Sequence, residues 1–173
     1  MKKTKLIIFL TFIVLLGAGL ITLTSNKSKT DDRFITKIVD PKTDDIKLYW
    51  KDDKGEILKN IENLISFVEN KQLTLLFAMN AGMYKKDFSP QGLFIQDQKT
   101  LNTLDTSSGN GNFYLMPNGV FYITTDNSAK VCKTSDFIDN GQVKYATQSG
   151  PMLVIDGKIH SAFKEGSKNL NIR

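Results

Sequence analysis

The stretch QSGPMLVIDGKIH, residues 148–160, decides how the last part of the chain folds. A corner of small residues, SGP at 149–151, opens an apolar run, and Asp156-Gly157 turns this run back toward the single histidine. An Asp-Gly pair between apolar segments is a strong signal for a two-residue hairpin turn. The sequence therefore predicts a β-hairpin with a tight entrance, and this entrance is also a candidate part of a site.

A second segment also places small residues beside an apolar run. The apolar run Leu73–Met79 predicts a buried strand, which ends abruptly at Asn80-Ala81-Gly82. Loops at the ends of rigid strands often carry function, and small residues there let main-chain N–H groups approach an anion. The alternative is that both corners are ordinary tight turns, because glycine at a strand end is common turn chemistry.

The remaining pattern predicts an α+β domain, built mainly on antiparallel or mixed β-sheet with at least one covering amphipathic helix. An Asn-Gly turn at Pro117-Asn118-Gly119 predicts a hairpin between Phe113–Met116 and Val120–Ile123. Further strands are expected at Phe34–Val39, Ile46–Trp50 and Leu93–Ile95. Residues with a 3.6-residue period predict the apolar face of the helix: Ile57, Leu58, Ile61, Leu64, Ile65 and Val68.

The N-terminus has the features of an export signal. Three lysines precede an uncharged apolar run, Leu6–Leu23, whose length lies between those of a cleaved signal and a spanning helix. We expect residues 1–25 to be a signal peptide or a signal anchor, residues 26–33 a polar tether, and residues 34–173 one domain. The domain would then be periplasmic, or on the extracytoplasmic face of the membrane, with membrane contact only if the segment stays uncleaved.

Charge and cysteine content exclude several classes of protein. Without the three N-terminal lysines the chain has 20 basic and 18 acidic side chains, so no excess of positive charge favours nucleic-acid binding. The lone Cys132 permits no internal disulfide and is expected to be a half-buried residue on a strand. One histidine and one cysteine cannot form a zinc site, and no phosphate loop, dinucleotide fingerprint or nucleophile elbow occurs. The sequence indicates no particular cofactor.

Five motifs in sequence order resemble the phosphodiester glycosidase family, most closely its bacterial branch. The resemblance runs from about residue 34 to the end of the chain. Each motif is weak alone, but their order and spacing together are specific. The motifs are NAGMY (80–84), Pro-x-Gly-Leu (90–93), NFYLMPNGVFYI (112–123), ATQSGPMLVIDGKIH (146–160) and NIR (171–173).

The resemblance implies hydrolysis of a sugar-1-phosphodiester at the anomeric carbon, with a sugar-phosphate or envelope glycan as the binding partner. It implies that Arg173 binds the phosphate through its planar fork, and that Asn80 and Ser149 are the other catalytic positions. Asp87 and Asp105 are the candidate carboxylates, although nothing in their spacing selects either one. Further substrate-binding positions implied by the resemblance are Ala81, Gly82, Gln148, Gly150 and His160.

The chain also departs from the family pattern. Full-length members continue beyond the arginine to an Asp-Gly-Gly-rich motif, so the resemblance predicts a domain that is incomplete at its C-terminus. Because glycoside cleavage generally needs carboxylates, the alternative is an inactive fragment or a non-catalytic, membrane-tethered module that binds an envelope glycan or phosphate. A third reading is a purely structural envelope protein.

Overall fold

An antiparallel sheet of five strands organises the part of the chain that the structure, a computed structural model, describes: residues 35–161 and 163. All of its helices and strands lie in a unit that begins at Lys37. In chain order they are α1 (Ile61–Asn70), β1 (Phe94–Gln96), β2 (Lys99–Asn102), β3 (Gly119–Thr124), β4 (Ala129–Lys133), β5 (Val143–Ser149), β6 (Val154–Ile155) and β7 (Lys158–Ile159), with short 3-10 turns at Asn112–Tyr114 and Thr134–Asp136.

The sheet has the order β2-β1-β5-β3-β4, so β5 lies between two hairpins. Ala146 in β5 pairs with Ile95 on one side and with Tyr122 on the other. At the end of the strand, Ser149 pairs with Gly119. The central strand therefore ends at the small-residue corner, which is fixed by neighbours on the rigid part of the sheet.

Strand alternation gives the sheet two apolar faces. One face buries Leu93, Ile95, Val120, Val143 and Ala146, and half-buried Cys132 packs against this cluster as the sequence predicts. The other face buries Leu48, Phe94, Ile123 and Tyr145. Gln148 belongs to the first face, while Thr147 and Ser149 point to the second.

The predicted Asp156-Gly157 hairpin is confirmed as the turn between β6 and β7. Both turn residues have positive φ, 50° and 74°, which a two-residue turn of this kind requires. A turn with the same backbone signs joins β1 to β2 at Asp97 and Gln98, where φ is 48° and 62°. This second turn contains no glycine, so the sequence gives no clear signal for it.

The hairpin predicted at Pro117-Asn118-Gly119 is wrong. Residues Asn112–Tyr114 form a 3-10 turn instead of a strand, and Asn118 is buried with its side-chain amide donating to the Phe113 carbonyl. Gly119 starts β3, and a Cβ there would lie 2.8 Å from Met152 Cγ. Asparagine and glycine are needed here for close packing at the start of a strand, so their pairing does not mark a turn.

The prediction of a buried strand at Leu73–Met79 is also wrong. Within the described chain no strand pairs with this run, and it has no regular structure. Leu76 is 84% exposed and Met79 is 72% exposed. An apolar run becomes a buried strand only when other elements hydrogen-bond to its edges and cover its faces, and the described residues supply neither.

The two N-terminal strands are likewise not formed in the described residues. The segment from 35 to 40 is irregular and exposed, and the Phe34 end of the first prediction lies outside the described residues. Ile46 and Trp50 pack on the second face of the sheet beside buried Leu48, as a strand alternation would place them. This segment contacts the sheet through its side chains, and its one ladder contact is an isolated bridge from Lys51 to Ile57.

The predicted helix exists, but it begins later, at Ile61, because Asn60 caps it by accepting a hydrogen bond from the Asn63 N–H. Of its apolar face only Val68 is buried, while Ile61 and Ile65 are 43% and 36% exposed. The structure therefore supports one helix beside a mostly antiparallel sheet, as α+β describes, without confirming that this helix covers the sheet.

Candidate functional site

The corner at the end of β5 is packed against the loop that precedes β3. A Cβ on Gly150 would lie 2.3 Å from the Phe113 carbonyl oxygen and 2.9 Å from Asn118 Cβ. Contacts this short leave no space for a side chain, so the residue must be glycine. Ser149 and Gly150 are both half-buried, and the Met152 N–H donates to the Pro117 carbonyl to fix the chain beyond the corner.

The other corner, Asn80-Ala81-Gly82, lies against the same strand end. A Cβ on Gly82 would be 2.2 Å from Thr147 Oγ1 and 3.3 Å from the Gln148 carbonyl oxygen. The main chain at Gly82 therefore lies directly against Thr147 and Gln148 of β5. The first corner thus contacts the two residues that precede the second corner, although 66 residues separate Gly82 from Gln148.

The polar groups at this junction are neutral. Asn80 and Ala81 are exposed, and the side chains of Thr147 and Ser149 point to the same side of β5. Main-chain N–H groups at small residues, together with an amide and a hydroxyl, can donate hydrogen bonds to the oxygens of an anionic phosphate or to sugar hydroxyls. The arrangement is suited to binding a phosphorylated sugar.

Gln148 is not at the surface of this junction. Its side chain is fully buried, and it makes all four hydrogen bonds that an amide of this type can make in the interior. Its Oε1 accepts from the Leu93 and Asp105 N–H groups, both at 3.0 Å, and its Nε2 donates to the Asp105 carbonyl at 2.7 Å and to Thr134 Oγ1 at 3.3 Å. The geometry therefore assigns Gln148 a supporting position, behind any substrate.

The hydrogen bonds of Gln148 distinguish Asp105 from the other candidate carboxylate, Asp87. Both main-chain polar groups of Asp105 are bonded to Gln148, and its side chain is half-buried. Its Oδ1 accepts from the Ser107 N–H at 2.9 Å and the Ser107 hydroxyl at 2.5 Å, while the Tyr114 hydroxyl lies 3.4 Å from Oδ2. Asp87 makes the same local bonds to Ser89 but is exposed.

These hydrogen bonds affect the ionisation of Asp105. The Ser107 hydroxyl lowers the pKa of the Asp105 carboxyl below its ordinary value, with further lowering from the Ser107 N–H, Tyr114 and the positive charge of Lys85. Lys85 directly follows the NAGMY motif in the sequence. The Asp105 side chain is therefore an anion over the whole physiological range of pH.

The structure places His160 beside the loop that precedes β3. His160 is half-buried after β7, and its Nε2 lies 2.9 Å from the Met116 carbonyl oxygen. Met116 belongs to the loop Phe113–Asn118, which also packs on Gly150. Arg173 lies outside the described residues, as do the predicted export segment and tether.

A shallow hollow of about 220 Å³ lies away from both corners. It is lined by residues 41–46 together with Ile123, Asn127, Lys144 and Tyr145, at the opposite end of β3 and β5. Within residues 35–161 and 163 no three potential metal-ligating side chains cluster. In the same residues no helix is both long enough and apolar enough to cross a bilayer.

Sequence reasoning missed Lys85, Tyr114 and Thr147. The pattern Asp-x-Ser at 105–107 was available as a turn signal, but it occurs again at 87–89 and 126–128. Selecting one of the three requires the contact between Asp105 and Gln148, which are 43 residues apart. No local sequence pattern marks Thr147 as part of the site, because it is distinguished only by its contact with Gly82 in a distant segment.

Comparisons with known proteins show the family of the chain. A model of the phosphodiester glycosidase family matches residues 74–173, which is more than half of the chain and includes both corners. The uncharacterized protein YigE of Escherichia coli strain K12 is 33% identical over 135 residues, which cover 78% of this chain and 52% of that protein. The chain thus spans about half the length of this curated relative. No solved structure shows significant similarity to it.

Proposed function

The chain belongs to the phosphodiester glycosidase family, and we propose that it hydrolyses the bond between the anomeric carbon of a sugar and the phosphate of a phosphodiester. The observation that carries the proposal is the contact of Gly82 with Thr147 and Gln148. The contact places Gly82 of the first corner against the two residues that precede the second corner, and we infer that the two corners form one polar surface at the end of the central strand. A phosphodiester has the charge and the oxygens that such a surface can bind.

The chemistry of the leaving group suits a site of this kind. Cleavage at the anomeric carbon passes through an oxocarbenium-like transition state. The departing phosphate monoester is stable as an anion, so hydrogen-bond donors and positive charge can replace an acid that protonates it. In the proposed reaction Asn80, Ser149 and the corner amides bind phosphate or sugar oxygens, and Arg173 pairs with the phosphate.

We extend the proposal to location and partners. The apolar run Leu6–Leu23 after three lysines supports export, so that residues 34–173 would act outside the cytoplasm as one domain. The substrate would be a sugar-phosphate or an envelope glycan, and membrane contact would come from the N-terminal segment where it is retained. The near balance of charge in the rest of the chain argues against a nucleic acid.

A 4-nitrophenyl diester of a sugar 1-phosphate tests this proposal and identifies the broken bond. Cleavage at the anomeric carbon releases 4-nitrophenyl phosphate, which becomes coloured only after a phosphatase is added. Cleavage at phosphorus that expels nitrophenol releases coloured 4-nitrophenol at once. Cleavage at phosphorus that expels the sugar is recognised by hydrolysis in ¹⁸O-labelled water, because it puts the label in the phosphate, whereas cleavage at the anomeric carbon puts it in the sugar. We expect colour that depends on the phosphatase, and a loss of activity with Asn80→Ala, Ser149→Ala and Arg173→Ala but not with the exposed control Asn70→Ala.

Absence of turnover on a panel of such diesters, or equal activity of all four variants, would contradict the proposal. Tight binding of the diester without turnover would instead favour the second candidate, a non-catalytic module that binds phosphorylated glycans. The neutral donors at the junction of the corners favour that candidate, because they can bind a phosphate group without taking part in bond cleavage.

A further inference from the structure

The second face of the sheet, which buries Ile123, is covered only in part. Ile46 and Trp50 pack on its buried cluster, but this cover ends toward β4. There Phe121 is 37% exposed and Val131 is 63% exposed. Phe121 lies two residues from Ile123, so it points to the same face, and Val131 is its partner in β4. Two adjacent apolar side chains therefore lie open to solvent on a rigid pair of strands.

The exposed pair adjoins the contact between the first corner and β5. Phe121 pairs with Thr147 on its other side, and a Cβ on Gly82 would lie 2.2 Å from Thr147 Oγ1. Thr147, Phe121 and Val131 thus form one row across three strands, with their side chains on one face. Neighbouring strands lie about 4.8 Å apart, so Phe121 is one strand from that contact and Val131 is two.

The next row begins at the second corner. Ser149 pairs with Gly119, and Gly119 pairs with Lys133. A Cβ on Gly119 would lie 2.8 Å from Met152 Cγ, so the Met152 side chain occupies the place of the missing side chain in this row. Ser149 therefore has an apolar neighbour on the second face, and a lysine follows at the edge of the sheet. The three side chains that continue the site toward β4 are named the apolar surface: Phe121, Val131 and Met152.

Charge distinguishes the possible occupants of the apolar surface. β4 is the last strand in the sheet order, and exposed Lys130 and Lys133 lie on either side of Val131. Lysines on an edge strand oppose pairing with the same edge of a second copy, because like charges would meet. Lys133, in the row of Ser149, instead favours a ligand that is anionic at one end. An apolar group joined to a phosphate has both of the properties that this surface requires.

The proposed substrate carries two groups on its phosphate, the sugar and a second alcohol. The exposed corner residues Asn80 and Ala81 offer polar groups to the sugar, whereas the apolar surface offers no strong donor or acceptor. An apolar group placed there leaves water, which is favourable. A second sugar in the same place would lose hydrogen bonds to water without replacing them.

We propose that the second alcohol of the substrate is apolar and that its alkyl chain binds to the apolar surface, an inference that rests on the proposed function. The substrates are then sugar 1-phosphodiesters of alkyl alcohols. With the phosphate at the corners, the alkyl chain extends from Ser149 past Met152 toward Phe121 and Val131. The bond that breaks is the one already proposed, and the alkyl phosphate is the leaving group.

The first test compares methyl and butyl diesters of the sugar 1-phosphate whose nitrophenyl diester is cleaved. The full chain is used, and the alkyl phosphate product is measured by ³¹P NMR. A fully buried CH₂ group contributes about fourfold, which corresponds to about 0.8 kcal/mol. Because an open surface covers only one side of the chain, we expect kcat/KM to rise about two- to fourfold for each added CH₂ group. The butyl diester should therefore be the better substrate by about 10-fold or more.

The second test asks whether this preference comes from the apolar surface. Val131→Ser should lower the ratio of kcat/KM between the butyl and methyl diesters about fourfold, the effect of one buried CH₂ group. Ile138→Ser is the matched control, because Ile138 is 79% exposed and follows Phe137, which packs on the first face. It should leave the ratio unchanged. Should Val131→Ser fail to fold, Val131→Thr replaces it, because threonine keeps a β-branched shape suited to a strand.

The outcomes separate this inference from the proposed function. Equal kcat/KM for the two diesters, with cleavage at the anomeric carbon, leaves the proposed function in place and overturns the inference. A preference for butyl that Ile138→Ser lowers as much as Val131→Ser also overturns it, because the chain then binds elsewhere. An unchanged preference in Val131→Ser, with loss of a dimer in sedimentation or of binding to phosphatidylglycerol vesicles, assigns the surface to a second copy or to a bilayer. If neither diester is cleaved, the proposed function fails and the inference fails with it.

Discussion

Replacing Gly82 by alanine measures the contact between the two corners, because a Cβ at this position would lie 2.2 Å from Thr147 Oγ1. No real Cβ tolerates such a contact, so either the Thr147 side chain or the corner must move. Forcing a methyl group into a packed position costs about 1–3 kcal/mol. Thr147 is 6% exposed and Gly82 is half-buried, so the clash cannot be relieved toward solvent at no cost, and we expect a loss near 2 kcal/mol.

Thr147→Ala should rescue this loss. Alone it removes a small buried side chain and should cost about 1 kcal/mol. In the double variant the Oγ1 atom is gone, and the nearest remaining atom to the new Cβ is the Gln148 carbonyl oxygen at 3.3 Å. The double variant should therefore be more stable than additivity predicts, by about 1–2 kcal/mol.

The assay is urea unfolding followed by the fluorescence of Trp50, the only tryptophan. Gly55→Ala is the matched control, because Gly55 has a positive φ of 84° and no atom within 4 Å of its Cβ position. It should lose about 1–2 kcal/mol through backbone strain alone, and Thr147→Ala should not rescue it. Additive losses for Gly82→Ala and Thr147→Ala would refute the contact between the corners.

Two further predictions follow from burial and from charge. Leu76→Ala should change the free energy of unfolding by less than about 0.5 kcal/mol, because Leu76 is 84% exposed. Ile95→Ala in the core should instead cost about 2–5 kcal/mol. Equal losses in urea unfolding would mean that the apolar run Leu73–Met79 is buried. Because the pKa of Asp105 is lowered in the fold, its stabilising contribution is present above the unfolded value, near 3.9, and is lost as pH falls through the folded value. Ser107→Ala removes the main cause, so the carboxyl pKa measured by NMR should rise toward the ordinary value, whereas Ser89→Ala should leave it unchanged.

Local chemistry allowed part of the fold to be predicted. The Asp156-Gly157 turn was predictable because both positions need a positive φ, which these residues adopt at little cost. The half-buried Cys132 and the strand Val120–Ile123 were predictable because short apolar segments bounded by turn residues favour strands. In each case the residues that determine the structure are adjacent in the sequence.

The errors have a common physical cause. A continuous apolar run reports a preference for burial, but Leu73–Met79 becomes a buried strand only if a partner supplies hydrogen bonds and cover. Asn118-Gly119 has the composition of a turn, yet here packing against Met152 and Phe113 requires those residues. Both outcomes depend on contacts with segments far along the chain, which no local pattern contains.

The candidate site was predictable to a similar extent. The two corners could be selected because small residues adjoin an apolar run in each. The choice of Asp105 over Asp87 could not, because their turns are identical in pattern and differ only in the distant Gln148 amide. Gln148 itself was expected to bind substrate, and its complete set of internal hydrogen bonds shows why a polar residue in a motif can instead support its neighbours.

The claim that both corners form one site is tested most directly by NMR with a sugar 1-phosphate titrated into the ¹⁵N-labelled chain. The amide signals of Gly82 and Gly150 report on the two corners separately. The account predicts that both signals shift on addition of the ligand and follow a single dissociation constant, while the signal of Gly55 stays in place. Shifts at only one corner, or two different dissociation constants, would contradict it.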